Sequence, residues 1–469
     1  MAIQITQTNY DTSKQNIRKL SIKVNILNFQ FQTVDEISGS VNSGSITIDA
    51  NSDIRRTCDL SMVVSDSSIE ISSGGKIWMD KFVQIFTGIE SVRTGEIDWI
   101  NQGIYMINNP SIQYDSITNV LTFQGLDLMA KLTGIRNGYI GTMPTTIPVG
   151  SNIRNAMISV LTQLGGFTRY IILENPQTVP YEIKIEVGAT VYDLITQLRD
   201  ISPSWETFFD VDGVFHYQPI PTGSGDPIML DNDIWQNVLI SDNTDVNFEN
   251  VKNRIEVWGK SHEPNFYGGL ATVNGNSYEI TVGGLTTLEA NTIIGFTAPS
   301  ILTTPTLKIN SLTPIALLNE DGTSAIIPEA NIYYVVLAKS STELLYLGRQ
   351  QIYAVAQVDD PTSPYYVGGT VGTILLPLSG GEYANIVTDK LAMERAKYEI
   401  FLRTNNNDAV SLNCVPIFWL DVNIKMAYNK NFGGIQIEYI IKSVSTDLSP
   451  EGTQTVQAIY FNPLYPPFA

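Results

Sequence analysis

Residues 380–402 read GGEYANIVTDKLAMERAKYEIFL and contain the clearest helical pattern in the chain. At 3.6 residues per turn, two separate apolar faces emerge, more than a quarter-turn apart. The first face consists of Val387, Leu391, Tyr398, Phe401 and Leu402. The second face consists of Ile386, Met393 and Ile400. A helix with two apolar faces needs two surfaces to bury them. We therefore predict a helix from 384 to 402 with the rest of the chain arranged around it.

Most of the remaining chain has the pattern of short β-strands separated by turn residues such as Gly, Ser, Pro and Asn. In the first part of the chain, strand-like runs extend from about 20 to 124. A short helix is predicted at 125–132, with Asp127 in its first turn and Gly134 after its end. We predict that residues 1–140 form a first tube-like β-barrel domain.

The pattern changes after residue 141, where two amphipathic helices alternate with short strands. One helix is predicted at 151–164, before a pair of glycines, and the other at 191–199. Thr190 stands at the N-cap of the second helix, and Asp193 follows at the position of a capping-box acid. Residues 141–240 are therefore predicted to form a small α+β domain.

A strand from 247 to 258 restarts the β pattern and is predicted to be the first strand of a second barrel. The next strands of that pattern appear only after the helix at 384–402. We therefore predict a second tube-like β-barrel domain from 241–261 and 380–469, interrupted by an inserted β-rich domain at 262–379. The predicted fold class is mainly β with α+β parts: two tube-like barrels, a small α+β domain between them and an inserted β-domain.

The charge of the chain restricts its partners. It has 28 Lys and Arg against 47 Asp and Glu, a net charge of -19. Because phosphate binding depends on Lys and Arg, this balance argues against a protein that grips nucleic acid. The same charge suits a surface past which DNA slides, although solubility of a large β-protein is the simpler explanation.

No apolar run approaches the roughly 20 residues of a membrane helix. The polar residues 1–15 lack the pattern of a secretory signal. We expect synthesis in the cytoplasm without a signal peptide and no membrane insertion by this chain.

Motifs for catalysis, cofactors or metals are missing from the sequence. The two cysteines, Cys58 and Cys414, lie far apart and are expected to be buried thiols. The two histidines, His216 and His262, have no nucleophile motif nearby. Asp210-Val211-Asp212-Gly213 resembles the start of a calcium loop, but the later ligands are missing and a hairpin turn is favoured. We predict no catalytic residues, no cofactor and no metal.

Aromatic clusters at 205–209 and 418–419 could stack on sugars or bases. Their strand-like spacing favours a place in the core.

Several motifs follow one another in an order that is informative as a whole. In the first half they are QGIYMI at 102–107, LTFQGLDLM at 121–129, IPVG at 147–150, FFDVDGVF at 208–215 and NRIEVWG at 253–259. In the last quarter they are GEYANI at 381–386, LAMERA at 391–396, VPIFWLDVN at 415–423 and YIIKSV at 439–444. This order resembles the hub proteins of tailed bacteriophages and phage-tail-like particles, which cap the tail tube at the baseplate or tail tip. The C-terminal motifs are similar to the branch found in phages of Gram-positive hosts.

The resemblance implies a homotrimer that presents six similar tube-like units, so that it can continue a sixfold tail tube and offer threefold symmetry to a spike. It implies tail tube and distal tail proteins above, central spike or tail-tip proteins below, and other baseplate proteins around the chain. DNA would pass only transiently through an acidic lumen. The location would be the virion tail.

Two other functions stay open on the sequence. One is a tail-tip enzyme that degrades the cell wall. The other is a module that binds host-wall carbohydrate through the 262–379 insertion and its aromatic residues.

The resemblance also gives the two helix faces a role. The face with Val387, Leu391, Tyr398 and Phe401 is expected to pack on the second barrel of the same subunit. Ile386, Met393 and Ile400 would then contact either the inserted domain or a neighbouring subunit. Periodicity alone leaves the reverse assignment open.

Overall fold

A computed structural model describes the greater part of the chain. The residues that it describes are 5–15, 17–37, 39–64, 69–114, 118–141, 145–202, 204–220, 232–244, 248–319, 321–404, 409–429, 437–449 and 451–460. Residue 247, where the sequence places the start of a strand, lies outside these ranges.

The described chain is mainly β with α+β parts, as predicted. The strands up to the small α+β domain are β1 Leu20–Leu27, β2 Thr33–Ile37, β3 Gly39–Asp49, β4 Arg56–Val64, β5 Phe82–Ile89, β6 Ile100–Tyr114 and β7 Asn119–Leu126. Those up to residue 261 are β8 Thr145–Ile147, β9 Tyr170–Ile172, β10 Ile183–Ile185, β11 Trp205–Phe209, β12 Phe215–Pro219, β13 Leu239–Thr244 and β14 Arg254–Ser261.

The remaining strands lie in two groups on either side of the longest helix. Before it are β15 Phe266–Leu270, β16 Thr272–Asn274, β17 Ser277–Ile280, β18 Ile293–Ala298, β19 Thr306–Ile309, β20 Ile315–Leu318, β21 Ile332–Ser340, β22 Glu343–Arg349, β23 Gln351–Gln357 and β24 Leu375–Ser379. After it are β25 Val410–Cys414, β26 Lys425–Tyr428, β27 Ile437–Asp447 and β28 Gln454–Tyr460.

The α-helices are short except for the last. They are α1 Gln7–Ser13, α2 Ile153–Ser159, α3 Val191–Asp200, α4 Asn232–Val238 and α5 Asp389–Thr404. A π-helical turn, Val160–Leu164, prolongs α2 to the predicted end of that helix. The capping box of α3 is confirmed, since Asp193 N donates to Thr190 Oγ1 (3.1 Å) and Thr190 N donates to Asp193 Oδ2 (2.7 Å).

One 12-stranded sheet, nearly closed on itself, contains strands from both predicted barrels. Its order is β13-β25-β28-β27-β3-β4-β7-β6-β5-β1-β2, with β26 paired to β27. The junction is the antiparallel pair of β3 and β27, in which Ile48 lies opposite Val444 and Ile46 opposite Thr446. One continuous hydrophobic core fills the inside of this sheet. The two β-rich units are therefore joined through one sheet and one core.

Helix α4 and the 415–424 segment occupy that core. Trp235 of α4 is fully buried and its Nε1 donates to Ala427 O (2.9 Å). Phe418 and Trp419 are also buried, so the expectation that these aromatics belong to the core is confirmed. The sequence pattern predicted neither α4 nor the other short helix of this core, α1. Tyr10 of α1 likewise belongs to the core.

The small α+β unit has a second core, which covers one end of the outer face of the sheet. Leu126, Phe82 and Met106 from the sheet join residues of α2 and α3 in this core. Phe208 and Phe209 are buried, again as expected for core aromatics. The unit is therefore packed directly on the first β-rich unit.

The strand β14 has a different place from the one that the sequence suggested. It is the central strand of a three-stranded sheet, antiparallel to β23 and parallel to β24. The expectation that this strand opens a second barrel with β25–β28 does not match this pairing. The reason is sequence distance: the strand pattern shows that 254–261 is a strand but does not say which strand lies beside it.

The inserted region contains a separate β-unit. Its eight strands, β15 to β22, form one sheet around their own core. This unit begins and ends at neighbouring points, because Ser261 lies opposite Gln351 and His262 N donates to Gln350 O (2.8 Å). The strands β23 and β24, which belong to the predicted insertion by number, lie outside this unit.

Candidate functional site

The helix α5 begins later than predicted. Residues Gly381–Asn385 form a single 3-10 turn, and Ile386 is extended. Thr388 then begins the helix, because its hydroxyl accepts a hydrogen bond from Leu391 N (3.2 Å). Because Thr388 is the N-cap, the helix begins at residue 389 and not at the predicted residue 384.

The second predicted face of α5 packs on the three-stranded sheet. Ile386, Met393 and Ile400 are half-buried against the cluster formed by β14, β23 and the helix. Two partners were expected for this face, the inserted region and a neighbouring subunit. In the structure the face contacts β23, which lies within the 262–379 range, together with β14. Two fully buried alanines, Ala392 and Ala396, provide the closest contact. The sequence reasoning missed them because it followed large apolar residues; their i, i+4 spacing beside Met393 and Ile400 is the pattern that could have identified them.

The first predicted face of α5 meets open space over part of its length. Tyr398 and Leu402 line a cleft, and Leu391 lines a second, smaller one. This differs from the expectation that the face packs on the second barrel. The small alanines draw the opposite side of the helix onto the sheet β23-β14-β24, so the larger side chains are left on the cleft side.

The larger cleft, which we call the interdomain cleft, has a volume of about 670 Å³. It lies between α5, the small α+β unit and the end of the 12-stranded sheet. Six cationic side chains line it: Arg55, Arg199, Lys252, Arg395, Arg403 and Lys442. Four acidic side chains line it as well: Asp53, Asp200, Glu206 and Glu249.

A buried polar network forms the floor of the interdomain cleft. Arg55 Nη2 contacts Glu206 Oε2 at 2.5 Å, and the Arg55 guanidinium lies over the ring of Phe208. Asn423 Nδ2 donates to the same carboxylate, and Lys442 Nζ donates to Asn423 Oδ1 (2.9 Å). Burial lowers the pKa of Lys442 to about 8; the charge of Glu206 opposes this shift, and Arg55 adds to it. Burial acts to raise the pKa of Glu206, but the bonds from Arg55 and Asn423 outweigh it and the pKa is lowered.

A second buried ion pair lies beside this floor. Arg56 is 1% exposed; its Nη2 donates to Asp421 Oδ2 (2.6 Å) and its Nη1 to Phe209 O (2.9 Å). The pair connects the start of β4 to the small α+β unit and to the C-terminal segment. These contacts hold three parts of the chain in one arrangement.

The wall that α5 contributes to the cleft is organised by one carboxylate. Glu399 is buried; Arg395 Nε contacts its Oε1 at 2.8 Å and Arg403 pairs with its Oε2. The helix therefore presents two arginines to the cleft while their charges are held by a single acid.

The outer face of the 12-stranded sheet is polar beyond the small α+β unit. Strand partners that lie directly opposite each other share one face, which allows the rows to be followed across the strands. The rows are Ser241-Asn413-Thr455-Ser445-Thr47-Thr57, Asn243-Ser411-Gln457-Ser443-Asp49, Asp447-Ser45-Asp59-Gln124-Asn108 and Ser43-Ser61-Thr122-Ser111. None of these side chains is fully buried, and none is Lys or Arg. We call this surface the polar sheet face.

Both histidines are structural in their contacts. His216 is buried, stacks on Phe208 and has its Nε2 2.8 Å from Asp210 Oδ2. His262 is buried with its Nε2 2.7 Å from Val387 O, and burial lowers its pKa.

Both cysteines are free and buried, as expected, and burial raises the pKa of each thiol. The 210–213 segment is the turn between β11 and β12, where Asp210 Oδ1 accepts from Asp212 N and Val214 N (2.9 Å each). The hairpin prediction is confirmed there.

Within the described ranges, no group of three or more His, Cys, Asp or Glu could hold a metal ion. In the same ranges, no helix combines the length and the apolar composition that crossing a membrane requires.

The fold is that of phage tail proteins. Two such structures match this chain over nearly its whole length. The 43 kDa tail protein of prophage MuSo2 from Shewanella oneidensis has a TM-score of 0.53 at 12% identity, covering 94% of this chain and 99% of that chain. The tail protein from Neisseria meningitidis MC58 has a TM-score of 0.51 at 10% identity, covering 94% of this chain and 96% of that chain. The resemblance given by the motifs is confirmed as a likeness of fold.

Sequence similarity to a known family covers a smaller part of the chain. Residues 362–465 match the family described as "Domain of unknown function (DUF5048)". This range holds β24 to β28 and α5 but less than half of the chain. A search of curated proteins finds no match.

Proposed function

We propose that the chain is a non-enzymatic structural hub of a phage tail or phage-tail-like particle. In this proposal three copies join the sixfold tail tube to a threefold spike. The observation that carries it is the 12-stranded sheet that unites two β-rich units in one body, in a chain whose fold is similar to that of tail proteins over 94% of its length. A trimer of such bodies offers six β-rich units to a tube above it.

The polar sheet face supports a role as the lining of a channel. Its side chains are Ser, Thr, Asn, Gln and Asp, and its rows lack Lys and Arg. Phosphate groups would find no cation there to hold them, so DNA could move past without being retained. In the proposal this face surrounds the lumen, and DNA is a transient partner.

The remaining assignments follow from the same arrangement. The strands β1–β7, and β13 with β25–β28, are proposed as the two tube-like units, with the small α+β unit packed on the first. Tail tube and distal tail proteins would bind above, spike or tail-tip proteins below, and other baseplate proteins at the side. The inserted unit of β15–β22 would point toward those neighbours, and the location would be the virion tail.

The second face of α5 keeps a proposed role between subunits. Met393 and Ile400 border a groove on the outside of the three-stranded sheet, next to Val355 and Lys397. A neighbouring subunit could cover this groove while Ile386 stays packed within its own chain. The proposed contact between subunits would come in addition to the contacts that all three residues make with the sheet of their own chain.

Light scattering coupled to size-exclusion chromatography tests the hub directly. The full chain should have the mass of a trimer, and an electron-microscopy image should show a ring with an open centre. A chain that stays monomeric at all concentrations, and that does not bind tube or spike proteins, contradicts the proposal.

A further inference from the structure

The interdomain cleft concentrates positive charge in a chain that is otherwise strongly acidic. Six of the 28 Lys and Arg residues line this one cleft. The rest of the chain consequently carries an even larger excess of carboxylates. A surface of this kind attracts an acidic partner and lowers the repulsion that two copies of an acidic chain feel elsewhere.

Not all of these cations have their charge balanced within the described chain. Arg55, Arg199, Arg395 and Arg403 each contact a carboxylate. Within the described ranges, the Lys252 ammonium donates to a backbone carbonyl, Glu249 O (2.6 Å), and the Lys442 ammonium to the side-chain amide of Asn423 (2.9 Å). Among the described residues, neither lysine has a carboxylate within ion-pair distance.

Lys442 is the more informative of the two. Its ammonium group lies in the floor of the cleft, near both Arg55 and Glu206, where charge is costly to bury. An ammonium group offers three donors, and one hydrogen bond is present. Glu206 is already paired with Arg55, so a carboxylate that entered the cleft would give Lys442 a partner of its own and a further acceptor.

The walls of the cleft suit a protein segment better than a polyphosphate. Trp205, Tyr398 and Leu402 give it an apolar side, to which side chains of a peptide can pack. Asp53 and Glu249 on the lining would repel a polyphosphate, which carries charge on every group, more than a protein segment whose carboxylates are spaced apart. The mixture of apolar wall and incompletely balanced cations matches a segment that carries both acidic and apolar side chains.

We propose that the interdomain cleft receives an acidic segment of a second copy of this chain, with a carboxylate of that segment placed between Lys442 and Lys252. This docking rests on the proposed trimer and gives it a location. A second copy is the occupant that the charge balance favours, because its surface carries the excess of carboxylates that the cleft lacks.

Zero-length carbodiimide cross-linking of the full chain tests the proposal at the residue level. Carbodiimide joins a lysine to a carboxylate in direct contact, and a mixture of ¹⁴N- and ¹⁵N-labelled chains separates links between copies from links within one copy. Mixed-isotope peptides that contain Lys252 support the docking. Links of Lys252 confined to one copy, in a preparation that is trimeric, overturn it.

Assembly of charge variants provides the second measurement. Lys252→Glu should weaken the trimer by about tenfold or more at low salt, and Lys442→Met should weaken it in the same direction. Lys260→Glu is the matched control, since it makes the same change of charge at an exposed position of β14 outside both the cleft and the groove beside Met393. Circular dichroism melts would show that each variant is folded.

The outcomes separate the docking from the hub. A trimeric wild type with equally stable Lys252→Glu and Lys442→Met trimers overturns the docking and leaves the hub standing. A monomeric wild type overturns both. Binding of duplex DNA that is lost in Lys252→Glu would identify a nucleic acid as the occupant and also overturn the proposed docking.

Discussion

At the residue scale, the buried pair of Arg56 and Asp421 joins parts of the chain that are far apart in sequence. Three separate segments meet there, because Arg56 also donates to Phe209 O. In an apolar surrounding, a charge that loses its partner costs much more than an intact pair contributes. The pair is therefore a requirement of the fold once one member is present.

Substitution of Asp421 measures this requirement. Asp421→Ala should lower the free energy of unfolding by about 3–5 kcal/mol, because it leaves Arg56 buried and uncompensated. Chemical denaturation of the full chain gives the value. The double variant R56M/D421L should recover a large part of the loss, and a double variant as unstable as D421A would contradict the account.

Asp389 provides a residue-scale test of pH dependence. Its carboxylate accepts hydrogen bonds from Arg349 N (3.0 Å) and Tyr353 N (3.3 Å), and burial raises its pKa to about 6. The folded state thus binds this proton at a higher pH than the unfolded state, and stability from this group rises as pH falls through 6. Relative to Asp389→Asn, the wild type should gain about 1 kcal/mol between pH 7 and pH 5.

Urea denaturation at several pH values checks this difference. The comparison with the Asn variant removes the contributions of other carboxylates, which are common to both proteins. Parallel stability curves for the two proteins would show that Asp389 does not take up a proton in this range.

Local residue chemistry was predictable where its partners are close in sequence. The capping box of Thr190 with Asp193 and the turn at 210–213 follow from residue types a few positions apart. Arg56 and Asp421 are 365 positions apart, and nothing in either local sequence indicates the other. Contacts of that kind become visible only in the folded chain.

At the element scale, α5 shows how a correct helix can be assigned the wrong contacts. The periodicity identifies both apolar faces, but the side that packs most closely is defined by Ala392 and Ala396. Small side chains let a helix approach a sheet, whereas hydrophobic patterning gives weight to large ones. The start of α5 was predicted too early, because the apolar pattern extends back to residue 384 although Thr388 caps the helix four residues later.

Enlarging one of these alanines tests the close approach. Ala396→Leu should lower the free energy of unfolding by about 1–3 kcal/mol, because the three added carbon atoms find no space between α5 and the sheet. Lys397→Leu, one position along on the exposed side, is the control and should change it by less than about 0.5 kcal/mol. Similar values for both substitutions would show that the contact is loose.

At the scale of the whole molecule, the inserted β-unit is a body with its own core on two neighbouring connections. Ser261 lies opposite Gln351, so a short linker can join the chain across the insertion. The predicted limits, 262–379, were too wide at the C-terminal end because the strand pattern continues into β23 and β24, which pair with β14. Which strands pair across such distances is set by the fold as a whole.

Deletion of the β-unit follows from this arrangement. Replacing residues 264–348 by a short Gly-Ser linker should leave a folded chain with the mass of a trimer, since the 12-stranded sheet and its core are untouched. A modest loss of stability is expected from the contacts of Leu337, Leu345 and Leu347 with Val149. Light scattering and a thermal melt check both results, and an unfolded product would show that the insertion is part of the hub's core.

The junction of β3 and β27 sets a time for folding during synthesis. Thr47 and Ser445, neighbours across that junction, are 398 positions apart. A ribosome that adds about 5–20 residues per second needs roughly 20–80 s to make the strand that β3 awaits. Until then the first β-rich unit has an open edge strand, a state prone to aggregation. The rate of translation and the supply of chaperones should therefore affect the yield of soluble protein more than the stability of the folded chain does.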